Sequence, residues 1–427
     1  MLRPQTNTHR TQLSLDGLWS FRVQCPEDDA SAWHQGFATD RVVGVPASFN
    51  EQFTDYDTFN HMGVAWYSRP FTVPAALRGQ EIWLHFAAVN YHATVYLNGQ
   101  LLGTHETGYT PFCFPAAAAL LDAGENLLVV RVDCALSPHT VPQGGFDKAA
   151  IPGLSSPFKP SVNFDFFPYS GIHRSVSLLA LPAARVESLF IDTTLDGSEG
   201  VVHVRGTLSV PVARVGFGIA EWSDFSDASD GSFTATLRIP NARLWDIGKP
   251  NLHTLDITVS TNGSVTDSYR QTFGIRSIEL RGDRLLLNGE PIYLTGFGKH
   301  EDFPVLGRTQ PDAVNVRDLE LLKWIGANSF RTGKPIMITE IGADAMAGLH
   351  SLPASLWTED YQTDLLETNL NIIREKDYIL GEHLWAFSDF HTAQNHFRAH
   401  GNRKGLFTRD RQPKAAAHML RKRWTQA

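Results

Sequence analysis

"ANSFRTGKPIMITEIGADAMAGLH", Ala327 to His350, decides how the C-terminal part of this chain is read. It holds two strand-like runs. "ANSFRT" ends at Thr332, "PIMITEIG" begins at Pro335, and only Gly333 and Lys334 lie between them. The first run follows a helical segment; the second carries Glu340 just before Gly342. Both read as strands of a parallel α/β sheet. Parallel neighbours need a crossover of about a dozen residues or more. A two-residue link after Thr332 is therefore not expected to rejoin the sheet in parallel, and the spacing implies that elements are missing between the runs.

The flanking sequence supports the α/β reading. "LNGEPIYLTGFGKHED" is a strand ending in charged residues. "DAVNVRDLELLKWIG" is a helix with Val316, Leu319 and Leu322 expected on its apolar face and Gly326 just past its end. "TEDYQTDLLETNLNIIREK" is a second helix, with Thr358 as N-cap and Leu366, Leu370 and Ile373 facing the core. "YILGEHLWAFSDF" is a strand and "KAAAHMLRKRW" a last helix. Strands followed by helices, with charges at strand ends, are the pattern of a (β/α) barrel. A full barrel takes about 250 residues and only roughly 150 are present, with about four strands.

Residues 1–180 read differently. "EIWLHFAAV" alternates, placing Ile82, Leu84 and Phe86 on one face, and Asn98-Gly99 is a type I′ hairpin signal between "TVYL" and "QLLGTH". Residues 181–274 hold further short strands and match the size of one immunoglobulin-like sandwich, without its Cys-Trp-Cys pattern. The expected domains are thus a β-sandwich (1–180), an immunoglobulin-like sandwich (181–274) and a partial barrel (275–427).

Composition excludes several classes. With 427 residues and a formal net charge of −8, nothing draws the chain globally to nucleic acid or membrane. No run has membrane-spanning length, and "MLRPQTNTHRTQLSLDG" lacks a signal-peptide core. Three cysteines without metal-ligand spacing predict reduced thiols and a cytoplasmic setting. The sequon Asn262-Gly263-Ser264 would matter only in a secreted chain. His391, His396 and His400 lack helical pairing and have no cysteine nearby, so a metal site is not expected. The basic stretch from Arg409 to Arg423 reads as a solvated amphipathic helix.

Eight motifs in order, "LDGLWSF", "VAWYSRPF", "FDFFPYSGIHRSV", "TGFGKHED", "WIGANSFRT", "ITEIGADAMAGLH", "LWAFSDF" and "GNRKGLFTRDRQPKAAAHMLRKRW", resemble the β-glucuronidases of glycoside hydrolase family 2. The resemblance implies a jelly-roll sugar-binding-like sandwich, an immunoglobulin-like sandwich and a (β/α)8 TIM barrel, here incomplete and lacking about strands 3–6. It implies retaining hydrolysis of β-D-glucuronides, carried by small molecules or glycans, without a cofactor or metal. Homo-oligomers are expected for the intact family. The nucleophile falls on Glu340. The family's acid/base glutamate stands in an Asn-Glu-Pro motif that this chain lacks; its only Asn-Glu is Asn50-Glu51, and Gly289-Glu290-Pro291 reads as a hairpin turn. Retaining chemistry needs two carboxylates about 5–5.5 Å apart. Glu301, Asp302, Glu382 and Asp389 sit near strand ends but are not expected to substitute. Asn402 and Lys404 in "GNRKG", with Arg398 upstream, match the uronate-recognising pattern, since an amide donor and a point charge favour a sugar carboxylate. Trp385, His300 and Asp165 match residues lining the family's sugar pocket. The alternative is a non-catalytic carbohydrate-binding remnant of the family.

Overall fold

The structure, a computed structural model, describes residues 2–426 apart from 78–79, 122–123, 138–139, 145–163, 220–221, 283, 332–337, 376–380, 394–397 and 399. The junction at Thr332–Gly333 and His396 lie outside the described residues.

The first unit packs two antiparallel sheets face to face. One has four strands in the order Thr11–Ser14, Val176–Leu181, Glu81–Phe86, Phe112–Pro115; the other has six, from Val42–Val45 to Gln100–His105. Ile82, Leu84 and Phe86 all enter the core beside Trp19, Phe21 and Tyr67, as their alternation requires. Asn98 and Gly99 both take positive φ, 50° and 78°, between His92–Leu97 and Gln100–His105, which is the backbone a type I′ hairpin demands. The second unit pairs a three-stranded with a four-stranded antiparallel sheet around Val204, Val215, Phe217 and Ile257. The N-terminal segment ties the two units together. Arg10 grips Asp267 through Nε at 2.7 Å and Nη2 at 2.6 Å, and both groups are buried.

The third unit carries one parallel sheet: β1 (Leu294–Gly298), β2 (Ser329–Arg331), β3 (Ile338–Ile341) and β4 (Gly381–Trp385), in the spatial order β2-β1-β4-β3. Helices α1 (Asp312–Ile325), α2 (Glu359–Arg374) and α3 (Ala415–Thr425) cover one face. The barrel is incomplete: among the described residues these strands form one contiguous sector with two open edges. The expectation that the chain could not rejoin the sheet in parallel is overturned. β3 pairs in parallel with β4 at the edge opposite β2. The link between β2 and β3, residues 332–337, lies outside the described residues.

Phe297 of β1 and Leu384 of β4 face the helices and meet Leu322, Ile325, Leu366, Leu370 and Leu420. The other face is built from Gly296, Gly298, Ser329, His383 and Trp385, paired across the strands. Small and polar residues there limit the apolar surface that the missing sector leaves bare. Gly326 ends α1 in the left-handed conformation, and Thr358 caps α2 by accepting from Tyr361 N at 3.2 Å, both as expected.

One expected face fails. Leu322 of α1 is buried, but Val316 and Leu319 are 60% and 47% exposed, and Val314, Asp318, Leu321 and Ile325 complete the buried face. Trp324 on one flank of α1 meets His418 of α3; Leu319 lies towards the other flank and Val316 opposite the buried face. Phe330 on β2 and Ile372 on α2 are also exposed. No helix among the described residues is long and apolar enough to cross a membrane.

Candidate active site

The C-terminal ends of the parallel strands gather most of the residues singled out in the sequence. Glu340 lies in β3, where three steps along that strand (Ile338 to Ile341) face two along β4 (Glu382 to Leu384). Such a bulge redirects a side chain, and bulges concentrate beside active sites. The Glu340 side chain is exposed. Gly342, two residues on, permits a close approach: a Cβ there would stand 1.8 Å from the Trp385 carbonyl oxygen. The ends of β3 and β4 are therefore drawn together.

The segment 400–406 threads between these ends. Ala386 N donates to Lys404 O at 3.0 Å, Ala345 N to Arg403 O at 3.0 Å, and Phe390 and Asn402 exchange backbone bonds at 3.2 and 2.9 Å. Asn402 Oδ1 accepts from Lys404 N at 3.0 Å, which fixes the turn carrying both residues. Lys404 is half-buried, and among the described residues no carboxylate pairs with its ammonium.

A loop of the first sandwich reaches into this region. Asp165 accepts from Arg398 Nε at 3.1 Å and Nη2 at 2.8 Å, and from Asn402 Nδ2 at 2.8 Å. Phe167 N donates to His391 O at 2.9 Å, and Phe166 meets the His300 ring at 5.5 Å. His300 stands between Phe390, at 4.2 Å, and Trp385, at 5.1 Å edge to face. The six substrate-binding candidates thus fall into two linked groups. One is aromatic, with His300 and Trp385. The other is polar, with Asp165, Arg398, Asn402 and Lys404.

The carboxylates considered as replacement acids are committed elsewhere. Burial pushes the Asp302 carboxyl up, against the pull of Arg409. That direction would suit a general acid, but Asp302 accepts from His391 N at 2.8 Å and from Arg409 Nε, contacts that favour its ionised form. Burial likewise raises Asp389, against Lys414. It accepts from Lys414 Nζ at 2.8 Å, Arg403 Nη1 at 3.3 Å and Gly405 N at 3.1 Å. Glu382 is fully buried on the helix-covered face, bonded to Trp424 Nε1 at 2.7 Å and Tyr293 Oη at 3.2 Å. Glu301 pairs with Arg174 at 3.3 Å.

Several supporting residues escaped the sequence reading. Asp344 holds Arg403 N at 2.9 Å and pairs with Arg398 at 3.5 Å. Arg409 bridges the sandwich and the barrel sector, binding Glu51 at 2.7 and 2.9 Å and Tyr169 Oη at 2.7 Å. The reading of Arg409 to Arg423 as a solvated helix is corrected in its first half. Arg411 and Lys414 are 1% exposed, and Arg411 is paired with the equally buried Asp318 at 2.6 Å. A run of cations says nothing about where its acidic partners lie in sequence, so no local signal could have found these pairs. Among the described residues no group of His, Cys, Asp and Glu is arranged to hold a metal ion.

Comparison with known proteins matches this architecture. Residues 13–182 match the sugar binding domain of glycosyl hydrolases family 2, and residues 184–276 match glycosyl hydrolases family 2 in a further segment. The TIM barrel domain of that family matches in two pieces, 278–333 and 332–427, which meet within the quoted stretch. A β-glucuronidase of Paenibacillus borealis is 28% identical over 590 positions, covering 99% of this chain and 98% of that one. The β-glucuronidase of Rattus norvegicus is 26% identical, covering 99% and 92%. A match over 590 positions for a chain of 427 residues leaves at least 163 positions without a partner here. Among solved structures, β-glucuronidase from Ruminococcus gnavus in complex with D-glucuronic acid superimposes with a TM-score of 0.90 at 28% identity, covering 99% of both chains. With all three of its segments matched to this family in order, the chain belongs to glycoside hydrolase family 2.

Proposed function

We propose that this chain carries a β-glucuronidase-type site that keeps its nucleophile and its uronate-recognising group but has no general acid. Glu340 is the nucleophile that would form a covalent glycosyl-enzyme on a β-D-glucuronide. Lys404 and Asn402, with Arg398, meet the sugar carboxylate; Trp385 and His300 form the aromatic wall; Asp165 closes the polar side from the first sandwich. The domains divide near residues 180 and 274, and the three free cysteines favour a cytoplasmic setting. The observation that carries the reading is the close approach of Gly342, just past Glu340, to the Trp385 carbonyl, with Lys404 O accepting from Ala386 N beside it.

The missing acid sets the limit on chemistry. No Asn-Glu-Pro occurs in the sequence, and the four nearby carboxylates are paired or face away. General acid catalysis contributes about 10²–10⁴-fold, and an alkoxide leaves poorly without a proton. The test compares methyl β-D-glucuronide with 4-nitrophenyl β-D-glucuronide, whose phenolate leaves unaided. No turnover of the methyl glycoside is expected, with at most slow release of nitrophenol that Glu340→Gln abolishes. Clear hydrolysis of the methyl glycoside by the 427-residue chain would refute the absence of an acid. Nitrophenol release that survives Glu340→Gln would refute the nucleophile.

A non-catalytic carbohydrate binder is favoured if D-glucuronate binds and neither glycoside is cleaved. The open sector, with strands on only half of a barrel's circumference, is the observation behind that second reading.

A further inference from the structure

A cleft of about 370 Å³ lies between the first sandwich, the second sandwich and the N-terminal segment, and contains no barrel residue. Its floor is the outer face of the four-stranded sheet. There Trp83, Leu179 and Leu181 stand where the alternation of a solvated sandwich face would place polar groups. The strap of residues 2–5 forms the facing wall. Gln5 and Asn7 hold it along the second sandwich: Asn7 Nδ2 donates to Ser268 O at 2.9 Å, Arg270 N donates to Gln5 Oε1 at 3.0 Å, and Tyr269 Oη donates to Arg3 O at 3.1 Å.

The charge of the lining is one-sided. Three guanidiniums, Arg3, Arg10 and Arg185, meet one carboxylate, the exposed Glu187. Arg10 is spent on Asp267. Arg185 is only half spent. It is 7% exposed, its Nη1 donates to Glu81 at 2.6 Å and to Pro182 O at 3.1 Å, and among the described residues nothing accepts from its Nε or Nη2. Its guanidinium stands 5.5 Å from the Trp83 ring. The Arg3 side chain is exposed at the rim, and among the described residues no carboxylate pairs with it. Neither Nε nor Nη2 of Arg185 is sealed from solvent, so the open side of the fork is available to an anion entering the cleft.

We propose that this cleft is a binding site for a flat aromatic anion, a ring carboxylate of one or two fused rings. The ring lies on Trp83 and Leu179, and the carboxylate meets the open side of Arg185 and, at the rim, Arg3. An anion alone would gain nothing from the apolar floor, and a neutral ring would leave Arg185 uncompleted.

The probe is 2-naphthoate, titrated calorimetrically into the full chain, with 2-naphthol as the neutral ring of the same shape. One saturable site is expected, with 2-naphthol at least tenfold weaker, since a charge-assisted bond is worth about that much. Arg185→Met should weaken naphthoate at least tenfold and Arg3→Ala by a smaller factor. Arg185 also bonds Glu81 at the domain junction, so its variant is read only with an unchanged near-ultraviolet spectrum; Arg3→Ala, at the surface, serves if that variant misfolds. Excess D-glucuronate should leave naphthoate binding unchanged, so failure of the proposed glucuronate site would not affect the result. No saturable binding at millimolar naphthoate, equal affinity for 2-naphthol, indifference to both variants, or displacement by D-glucuronate would each overturn the proposal.

Discussion

Asp165 and Arg398 are 233 residues apart in sequence and form a two-pronged ion pair, with Nε and Nη2 at 3.1 and 2.8 Å from the carboxylate oxygens. The pair joins the first sandwich to the barrel sector at the edge of the candidate site. Because Asp165 also takes the Asn402 amide at 2.8 Å, it orients two of the groups assigned to the sugar carboxylate.

Asp165→Ala is therefore expected to weaken D-glucuronate binding about tenfold, the scale of one lost charge-assisted contact. Asp165→Glu should recover part of that loss. Calorimetric titration with D-glucuronate reads both; an unchanged affinity in the alanine variant would show that Arg398 and Asn402 keep their places without it.

Lys404 should separate acids from neutral sugars. Lys404→Met is expected to reduce affinity for D-glucuronate by roughly 10–100-fold while leaving weak binding of D-glucose unchanged, because only the carboxylate uses the ammonium. Equal losses for the two sugars would mark a general packing defect instead.

The barrel sector should be the weakest unit. Among the described residues, fourteen buried apolar residues form its core, against sixteen in the much shorter second sandwich. Leu370→Ala, fully buried, is expected to cost about 2–5 kcal/mol of that unit's stability. Val316→Ser on the exposed flank should change it by less than about 0.5 kcal/mol. Limited proteolysis followed by denaturant titration compares the two, and cleavage should begin within residues 300–400. A large loss in Val316→Ser would mean that this flank is covered in solution.

His173 gives a pH signature. It is fully buried, its Nε2 lies 2.8 Å from Gly108 O, and burial depresses its pKa to about 3. The unfolded imidazole titrates near 6.5. Between these values the unfolded chain holds a proton that the folded chain refuses, so acid favours unfolding. The contribution is whole above about pH 6.5 and shrinks by about 1.4 kcal/mol per pH unit as the pH falls towards 3. His173→Gln should flatten stability against pH in that window. An unchanged slope in urea titrations across pH 6.5 to 4 would assign the acid sensitivity elsewhere.

The sequence by itself determined the strand alternation of Ile82, Leu84 and Phe86, the Asn98-Gly99 turn, the Thr358 cap, the Gly326 stop and the break after Thr332. Each is written in a few consecutive residues, because dihedral preference and side-chain period act locally. Its ordered motifs carried the family, which in turn pointed to Glu340, Trp385 and Lys404. Tertiary structure alone decided that β3 joins the sheet at the edge away from β2. It also exposed Val316 and Leu319 while burying Arg411 and Lys414 among acids, and turned Asp165 towards Arg398. These outcomes depend on which neighbours lie close in space, and a local pattern does not record them. A charge in sequence is likewise neutral as to whether water or a distant carboxylate will face it, and only packing settles that choice.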